Sequence, residues 1–196
     1  MAQSISCKTL TDLLAAALEQ QPTKPLVLAL DGRCGSGKTT LANALAQQFP
    51  ASIVLRSDDF YLPPAQRVPG WEKTPCANMD LARLREEALR PAYGGRTVQY
   101  QAYSCREGAY QPMRKLPTQP LVILEGSYSH HPLLAGYETV RVFITCSKEE
   151  QARRLQAREG ERYENFAARW IPLEEGYFAA YKIEEIADFV VDTTGV

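Results

Sequence analysis

The chain has 196 residues, of which 45% are hydrophobic, and this is enough apolar material for one domain with a substantial core. The formal net charge of −1 argues against a nucleic-acid polymer or a membrane surface as partner. The five cysteines are scattered without a C-x-x-C pair, and no signal or membrane-spanning segment is recognised, so we expect a cytoplasmic protein without disulfides or a zinc site.

The apolar pattern predicts strands that alternate with helices along the chain. Buried strands are expected at 25–30, 52–55, 121–124, 140–145 and 189–191. Amphipathic helices are expected at about 10–20, after residue 38, and at 79–90, 147–158 and 163–186, with a weaker strand at 97–103. This alternation predicts a single three-layer α/β domain over 1–196 with a mainly parallel five-stranded sheet.

The most informative segment is the glycine-rich loop after the first of these strands. It reads Gly32-Arg33-Cys34-Gly35-Ser36-Gly37-Lys38-Thr39 and matches G-x-x-x-x-G-K-[ST], the phosphate-binding P-loop. Its backbone N–H groups and the following helix N-terminus favour a bound anion. Lys38 is expected to reach the terminal phosphates, and the Thr39 hydroxyl to ligate Mg²⁺. The candidate nucleotide-binding residues are Gly32, Gly35, Ser36, Gly37, Lys38, Thr39 and Thr40.

Two carboxylates, Asp58 and Asp59, follow the second predicted buried strand. Phosphoryl transfer needs a carboxylate to accept the proton of the attacking hydroxyl. Because consecutive extended residues point to opposite sides, one aspartate should face the site and the other should be structural, and the sequence does not choose between them. Ligands of parallel α/β sheets bind beyond the carboxyl ends of the strands, which places the P-loop, this pair and Glu125 at one edge.

These motifs resemble those of the uridine kinase and phosphoribulokinase group of P-loop kinases. The group has a G-x-x-G-S-G-K-T loop, a strand end similar to Ser57-Asp58-Asp59-Phe60-Tyr61, an apolar strand ending in Glu-Gly as at 121–126, and an arginine-rich lid helix as at 152–158. The resemblance implies that Asp58 is the general base and lies near Mg²⁺. It further implies that Glu125 approaches the metal, that Tyr61 and Tyr103 bind the acceptor, and that Arg158, with Arg154 as an alternative, closes over the phosphates.

The resemblance implies transfer of the γ-phosphoryl group of ATP, with Mg²⁺, to a hydroxyl of a nucleoside. Uridine and cytidine are the leading expected acceptors. The segment 71–80 lacks the His-Pro-Asp run of the group's uridine kinases, so pantothenate, another riboside or a sugar phosphate stay open as acceptors. A regulatory nucleotide-binding protein is the alternative from another class. Residues of about 61–110 are expected on the acceptor side and about 147–182 in the lid and its flanking helices, and a homo-oligomer is compatible with the sequence.

Several weaker signals complete the expectations. Asn78 should cap the helix that begins near Met79, and Ser147 with Glu150 should form a capping box. The adjacent His130 and His131 are expected at the surface. Cys34 is expected to be a tolerated variable position of the P-loop rather than a redox switch. An aromatic acceptor pocket is expected from Tyr61, Trp71, Tyr100, Tyr103 and Tyr110, whereas packing is expected for Tyr163, Trp170, Tyr177, Phe178 and Tyr181.

Overall fold

The computed structural model describes residues 2–195. Its strands, in chain order, are β1 (Gln3–Ser4), β2 (Leu26–Gly32), β3 (Ser52–Arg56), β4 (Val98–Tyr100), β5 (Tyr103–Ser104), β6 (Ala109–Tyr110), β7 (Arg114–Leu116), β8 (Leu121–Glu125), β9 (Val140–Thr145) and β10 (Phe189–Asp192). Its helices are α1 (Cys7–Glu19), α2 (Lys38–Gln48), α3 (Leu81–Arg83), α4 (Arg90–Tyr93), α5 (Lys148–Glu159), α6 (Tyr163–Tyr181) and α7 (Ile183–Ile186). A π-helical segment, Leu84–Leu89, joins α3 to α4.

The central sheet is parallel, with strand order β1-β10-β9-β2-β8-β3. All five predicted buried strands are present in it. The sheet has six strands rather than five, because Gln3 and Ser4 pair with the edge of β10. Two exposed polar residues carry no apolar pattern, so this edge strand was missed. The middle strand, β2, is buried along its whole length, which fixes the start of the P-loop inside the molecule.

Helices cover both faces of the sheet and confirm the three-layer fold. Side chains of α1 and α2, including Leu10 and Leu45, pack on one face against residues such as Leu28 of β2. The helical segment 81–93, together with α6 and α7, packs on the other face. No helix in residues 2–195 combines the length and the apolar character that a bilayer span requires.

The predicted helix at 79–90 begins later than expected, and Asn78 does not cap it. Asp80 is the N-cap instead, and its Oδ1 accepts a hydrogen bond of 3.0 Å from the Arg83 N–H. Asn78 is fully buried beneath the helix start. The weak strand at 97–103 is also two strands, since β4 pairs with β7 and β5 pairs with β6, both antiparallel.

Only half of the predicted capping box at α5 forms. Ser147 Oγ accepts from the Glu150 N–H at 3.2 Å, as expected. The Glu150 carboxylate turns instead to the guanidinium groups of Arg153 and Arg154, each at 2.6 Å. The Ser147 N–H donates to Thr194 Oγ1 at 2.8 Å, so tertiary contacts replace the local reciprocal bond. The late helical stretch divides at Lys182, whose φ of 52° ends α6 before α7 begins.

The surface position expected for the two histidines is wrong for His130. Its side chain is 2% exposed, and its Nε2 lies 3.1 Å from the Ala29 carbonyl oxygen of β2. Burial lowers the pKa of His130, so the neutral ring is favoured. His131 is partly exposed and its Nδ1 accepts from the Leu133 N–H at 3.1 Å, capping the short turn Pro132–Leu134.

Gly32 and Gly176 form a matched pair for testing how tightly the P-loop strand is packed. Gly32 has φ +136°, and a Cβ there would lie 2.0 Å from the Ile144 carbonyl oxygen of β9. We expect Gly32→Ala to lower the free energy of unfolding by about 3 kcal/mol, because the backbone must shift. Gly176→Ala, in the open interior of α6, should raise it by roughly 0.5 kcal/mol. Urea unfolding measures both, and equal effects would contradict the packing argument.

Candidate active site

Three segments meet at the carboxyl edge of the sheet. The P-loop follows β2, the turn Ser57–Phe60 follows β3, and Glu125 with Ser127 closes β8. Because β3, β8 and β2 are neighbours, these segments lie side by side, as the sequence predicts. Together with residues of α5 and α6 they line a cavity of about 830 Å³.

The P-loop provides the floor of this cavity. Of the predicted nucleotide-binding residues, the cavity is lined by Gly35, Gly37, Lys38, Thr39 and Thr40. Gly32 and the fully buried Ser36 belong to the loop but do not line the cavity, and the Ser36 N–H donates to the Arg33 carbonyl at 3.1 Å. The Lys38 ammonium folds over the loop and donates to the carbonyls of Gly32 at 2.5 Å and Arg33 at 2.9 Å.

The two adjacent aspartates have different surroundings. The Asp58 carboxylate opens into the cavity, whereas Asp59 is buried and accepts from the Tyr100 hydroxyl at 2.7 Å and from Arg114 at 2.6 Å. The protein around the Asp58 carboxyl removes water and raises its pKa, an effect that the Lys38 charge opposes. This geometry favours Asp58 as the site carboxylate and Asp59 as the structural one.

Glu125 and Thr39 form the part of the site that suits a divalent cation. Thr39 Oγ1 donates to Glu125 Oε2 at 3.1 Å, and Arg56 donates to Oε1 at 2.8 Å. Burial raises the pKa of Glu125, and the Asp58 charge adds to this effect. Residues 2–195 contain no cluster of three or more His, Cys, Asp or Glu residues that could hold a metal. Mg²⁺ at a nucleotide usually takes only one or two protein ligands besides phosphate oxygens and water, so the Thr39 and Glu125 oxygens fit it.

The two arginines that the resemblance places in a lid, Arg154 and Arg158, both reach the cavity from α5. Arg154 is held firmly, since its guanidinium donates to Glu150 at 2.6 Å and to Thr193 Oγ1 at 2.9 Å. Arg158 lies one turn later, pairs with Glu159 at 2.8 Å, and stacks 5.1 Å from the centre of the Phe166 ring. The half-exposed Arg158 contact with Glu159 is a weak one that phosphate groups can replace.

Aromatic side chains form one end of the cavity, but not all of those expected there. Tyr61 and Tyr103 line it as the resemblance implies, whereas Tyr100 is in the core and stacks 4.8 Å from Phe60. Trp170, for which only a packing role is expected, also has a place in the site. Trp170 lines the cavity, and its ring centre lies 6.2 Å from that of Tyr61 and 6.0 Å from that of Trp71.

Comparison with known proteins agrees with this geometry. The chain matches no family model. It is 29% identical over 143 residues to nicotinamide riboside kinase 2 from Mus musculus, covering 68% of each protein. A possible uridine kinase from Bacillus stearothermophilus superposes with a TM-score of 0.72 at 20% identity, covering 94% of this chain and 98% of that one. D-glycerate 3-kinase from Cryptococcus neoformans var. grubii superposes with a TM-score of 0.58 at 14% identity, covering 95% of both chains.

The similarity to these kinases, together with the P-loop, supports an ATP-dependent kinase. The fold of the chain is that of the uridine kinase-like group, and its sequence similarity to a riboside kinase agrees with the resemblance in the P-loop and the Asp-Phe-Tyr segment. These relatives indicate a P-loop kinase that acts on small metabolites.

The kinase site contains a carboxylate that sequence reasoning missed. Glu174 of α6 is 6% exposed and lines the cavity, where it accepts from the Cys34 N–H at 2.8 Å and from the Ser127 hydroxyl. Its helical spacing to Trp170 and Tyr177, at i−4 and i+3, is the signal that could have placed it on the inner face. Burial also raises the pKa of the Cys34 thiol, which favours a variable P-loop position over a redox switch.

Exchanging the two aspartates separately tests their assignment. We expect Asp58→Asn to lower kcat of the kinase by roughly a hundredfold or more with ATP binding nearly intact, because the amide cannot accept the proton. Asp59→Asn should leave kcat near that of the unmodified protein. It should lower the free energy of unfolding by about 1–2 kcal/mol, since the partly exposed pair with Arg114 is lost. Steady-state kinetics and urea unfolding report the two effects, and the reverse pattern would make Asp59 the base.

Proposed function

We propose that the kinase transfers the γ-phosphoryl group of ATP, with Mg²⁺, to a hydroxyl of a riboside. Uridine, cytidine and nicotinamide riboside are the leading acceptors. The observation that carries the proposal is the continuity of one cavity. In it the P-loop residues Lys38 and Thr39, the Asp58 carboxylate, and the aromatic side chains of Tyr61 and Trp170 are all accessible.

The acceptor assignment is supported by the chemistry of the aromatic end. Apolar rings next to a few polar groups suit a flat base or pyridine ring attached to a hydroxylated sugar. The similarity to nicotinamide riboside kinase 2 supports a riboside, and the fold similarity to the possible uridine kinase is compatible with one. We propose that residues of about 61–110 form the acceptor side and that about 147–182 form the lid, within one domain.

In the proposed reaction, separate residues bind the phosphates, hold the metal, accept the proton and stabilise the transferred group. Lys38 and the P-loop N–H groups hold the nucleotide phosphates, and Thr39 and Glu125 hold Mg²⁺, with Asp58 nearby. Mg²⁺, when bound by these residues, would neutralise charge on the nucleotide phosphates. Asp58 accepts the proton of the attacking acceptor hydroxyl, and Arg158, with Arg154, stabilises charge on the transferred group. Closure of the lid excludes water and so limits hydrolysis of ATP.

A panel of purified acceptors tests the proposal directly. Uridine, cytidine, nicotinamide riboside, pantothenate, D-glycerate and ribose 5-phosphate are each mixed with the protein, ATP and Mg²⁺. ADP release and product mass are then recorded. We expect a riboside to stimulate ADP release most and to gain one phosphoryl group. Preference for pantothenate or D-glycerate would refute the riboside assignment. Slow ADP release that no metabolite stimulates would favour a regulatory nucleotide hydrolase.

The raised pKa of Asp58 gives the reaction a predicted pH dependence. A base acts only when deprotonated, so kcat/KM should fall as the pH drops through the pKa of Asp58. Because the surroundings raise that pKa, the decline should begin above the usual range of an aspartate, near 3.9. The profile of kcat/KM between pH 4 and 9 with saturating Mg²⁺ measures it. A flat profile down to the lower limit would exclude Asp58 as the titrating base.

A further inference from the structure

Glu174 is a buried charge that the proposed mechanism does not use. Its carboxylate forms no salt bridge with any lysine, arginine or histidine within residues 2–195, although it is 6% exposed. Removing a carboxylate from water without a cation is strongly unfavourable. Two neutral donors, the Cys34 N–H and the Ser127 hydroxyl, compensate only in part. A charge held this way in the main cavity indicates a ligand contact rather than a contribution to stability.

The remaining hydrogen-bonding capacity of Glu174 is available to a ligand. A carboxylate offers about four acceptor positions, of which the Cys34 and Ser127 donors use two. The side chain lines the same cavity as Asp58 and Tyr61. Its charge also lies close enough to Asp58 to contribute to the raised pKa of that group. Glu174 is therefore placed beside the proposed base, where the acceptor must bind.

The protein holds this carboxylate in a fixed position. One turn along α6, the Tyr177 hydroxyl donates to the buried Asp31 carboxylate at 2.7 Å. The neighbouring Glu175 accepts from Arg33 of the P-loop at 2.8 Å. These two contacts, at the residues that follow Glu174, attach α6 to the end of β2 and to the P-loop. A side chain held by its surroundings can orient a substrate at little entropic cost.

We propose that Glu174 accepts a hydrogen bond from a second hydroxyl of the acceptor and so selects polyhydroxylated acceptors over their deoxy analogues. This inference rests on the proposed function and defines its substrate class. With one hydroxyl held by Glu174, a neighbouring hydroxyl of the same molecule is directed to Asp58. A site built around such a bond rejects an analogue without the hydroxyl, because the buried carboxylate is then left without that donor.

Matched acceptors and matched variants test this role. The acceptors are uridine with 2′-deoxyuridine and 3′-deoxyuridine, and D-glycerate with 3-hydroxypropionate. The proteins are the unmodified chain, Glu174→Gln, and the control Glu185→Gln, which alters an exposed carboxylate of α7. Glutamine keeps the shape and can still accept from the Cys34 N–H. Binding is followed by fluorescence of Trp170, which lines the cavity, and of Trp71, whose ring centre lies 6.0 Å from that of Trp170. Transfer is followed by product mass.

We expect Glu174→Gln to weaken binding of the hydroxylated acceptor by about 10–100-fold, the range for a hydrogen bond to a charged group. The Kd of ATP should change less than about threefold. The analogue that lacks the contacted hydroxyl should bind the unmodified chain and Glu174→Gln equally weakly. Glu185→Gln should behave as the unmodified chain throughout.

Three outcomes would overturn the inference. The first is an equal loss of affinity for hydroxylated and deoxy acceptors in Glu174→Gln, and the second is a change confined to ATP binding. The third is the absence of binding by every hydroxylated compound to the unmodified chain. Binding with the expected pattern but without phosphoryl transfer would refute the proposed function and leave the role of Glu174 intact. If Glu174→Gln does not fold, Ser127→Ala, which removes one partner of the carboxylate, should weaken the same acceptors by about threefold, and no change there would also overturn it.

Discussion

The arrangement of the site depends on the buried carboxylate of Asp31, at the end of the central strand. One oxygen accepts from the Gly32 N–H at 2.7 Å, which shapes the entry to the P-loop. The other accepts from the His130 N–H at 2.9 Å and from the Tyr177 hydroxyl at 2.7 Å. A single fully buried side chain thus joins the P-loop, the segment after β8, and α6. Loss of any of these donors would leave a buried charge less satisfied, so the three segments are strongly coupled.

The cavity contains both carboxylates and basic side chains, a combination that suits phosphoryl transfer. Asp58, Glu125 and Glu174 share one space, where desolvation raises the pKa of the first two. Lys38 is held by loop carbonyls, and Arg154 and Arg158 are held by carboxylates of their own helix, α5. The half-exposed Arg158 contact with Glu159 is one that a phosphate can replace, whereas Arg154 is held firmly and the carboxylates remain for Mg²⁺ and for acceptor hydroxyls.

Local chemistry explains which parts of the structure the sequence predicts. The P-loop is defined by residues adjacent in the chain, and the buried strands are short apolar runs, so both are readable without tertiary information. The edge strand Gln3–Ser4 has no such pattern, because it is held only by backbone pairing with β10. Local spacing predicts caps at Asn78 and Glu150, but Asp80 caps the first helix and the arginines of α5 bind the Glu150 carboxylate.

Apolar periodicity and short motifs are enough to predict the three-layer P-loop fold, the phosphate-binding loop and the carboxylates that follow the strands. They do not distinguish the two aspartates, because Asp58 faces the cavity and Asp59 binds Tyr100 and Arg114 through contacts between segments distant in the chain. The tertiary structure also places Trp170 and Glu174 in the site, more than 130 residues along the chain from the P-loop contact at Cys34. Such contacts arise from the packing of α6 on the sheet, so the local sequence around each residue does not predict them.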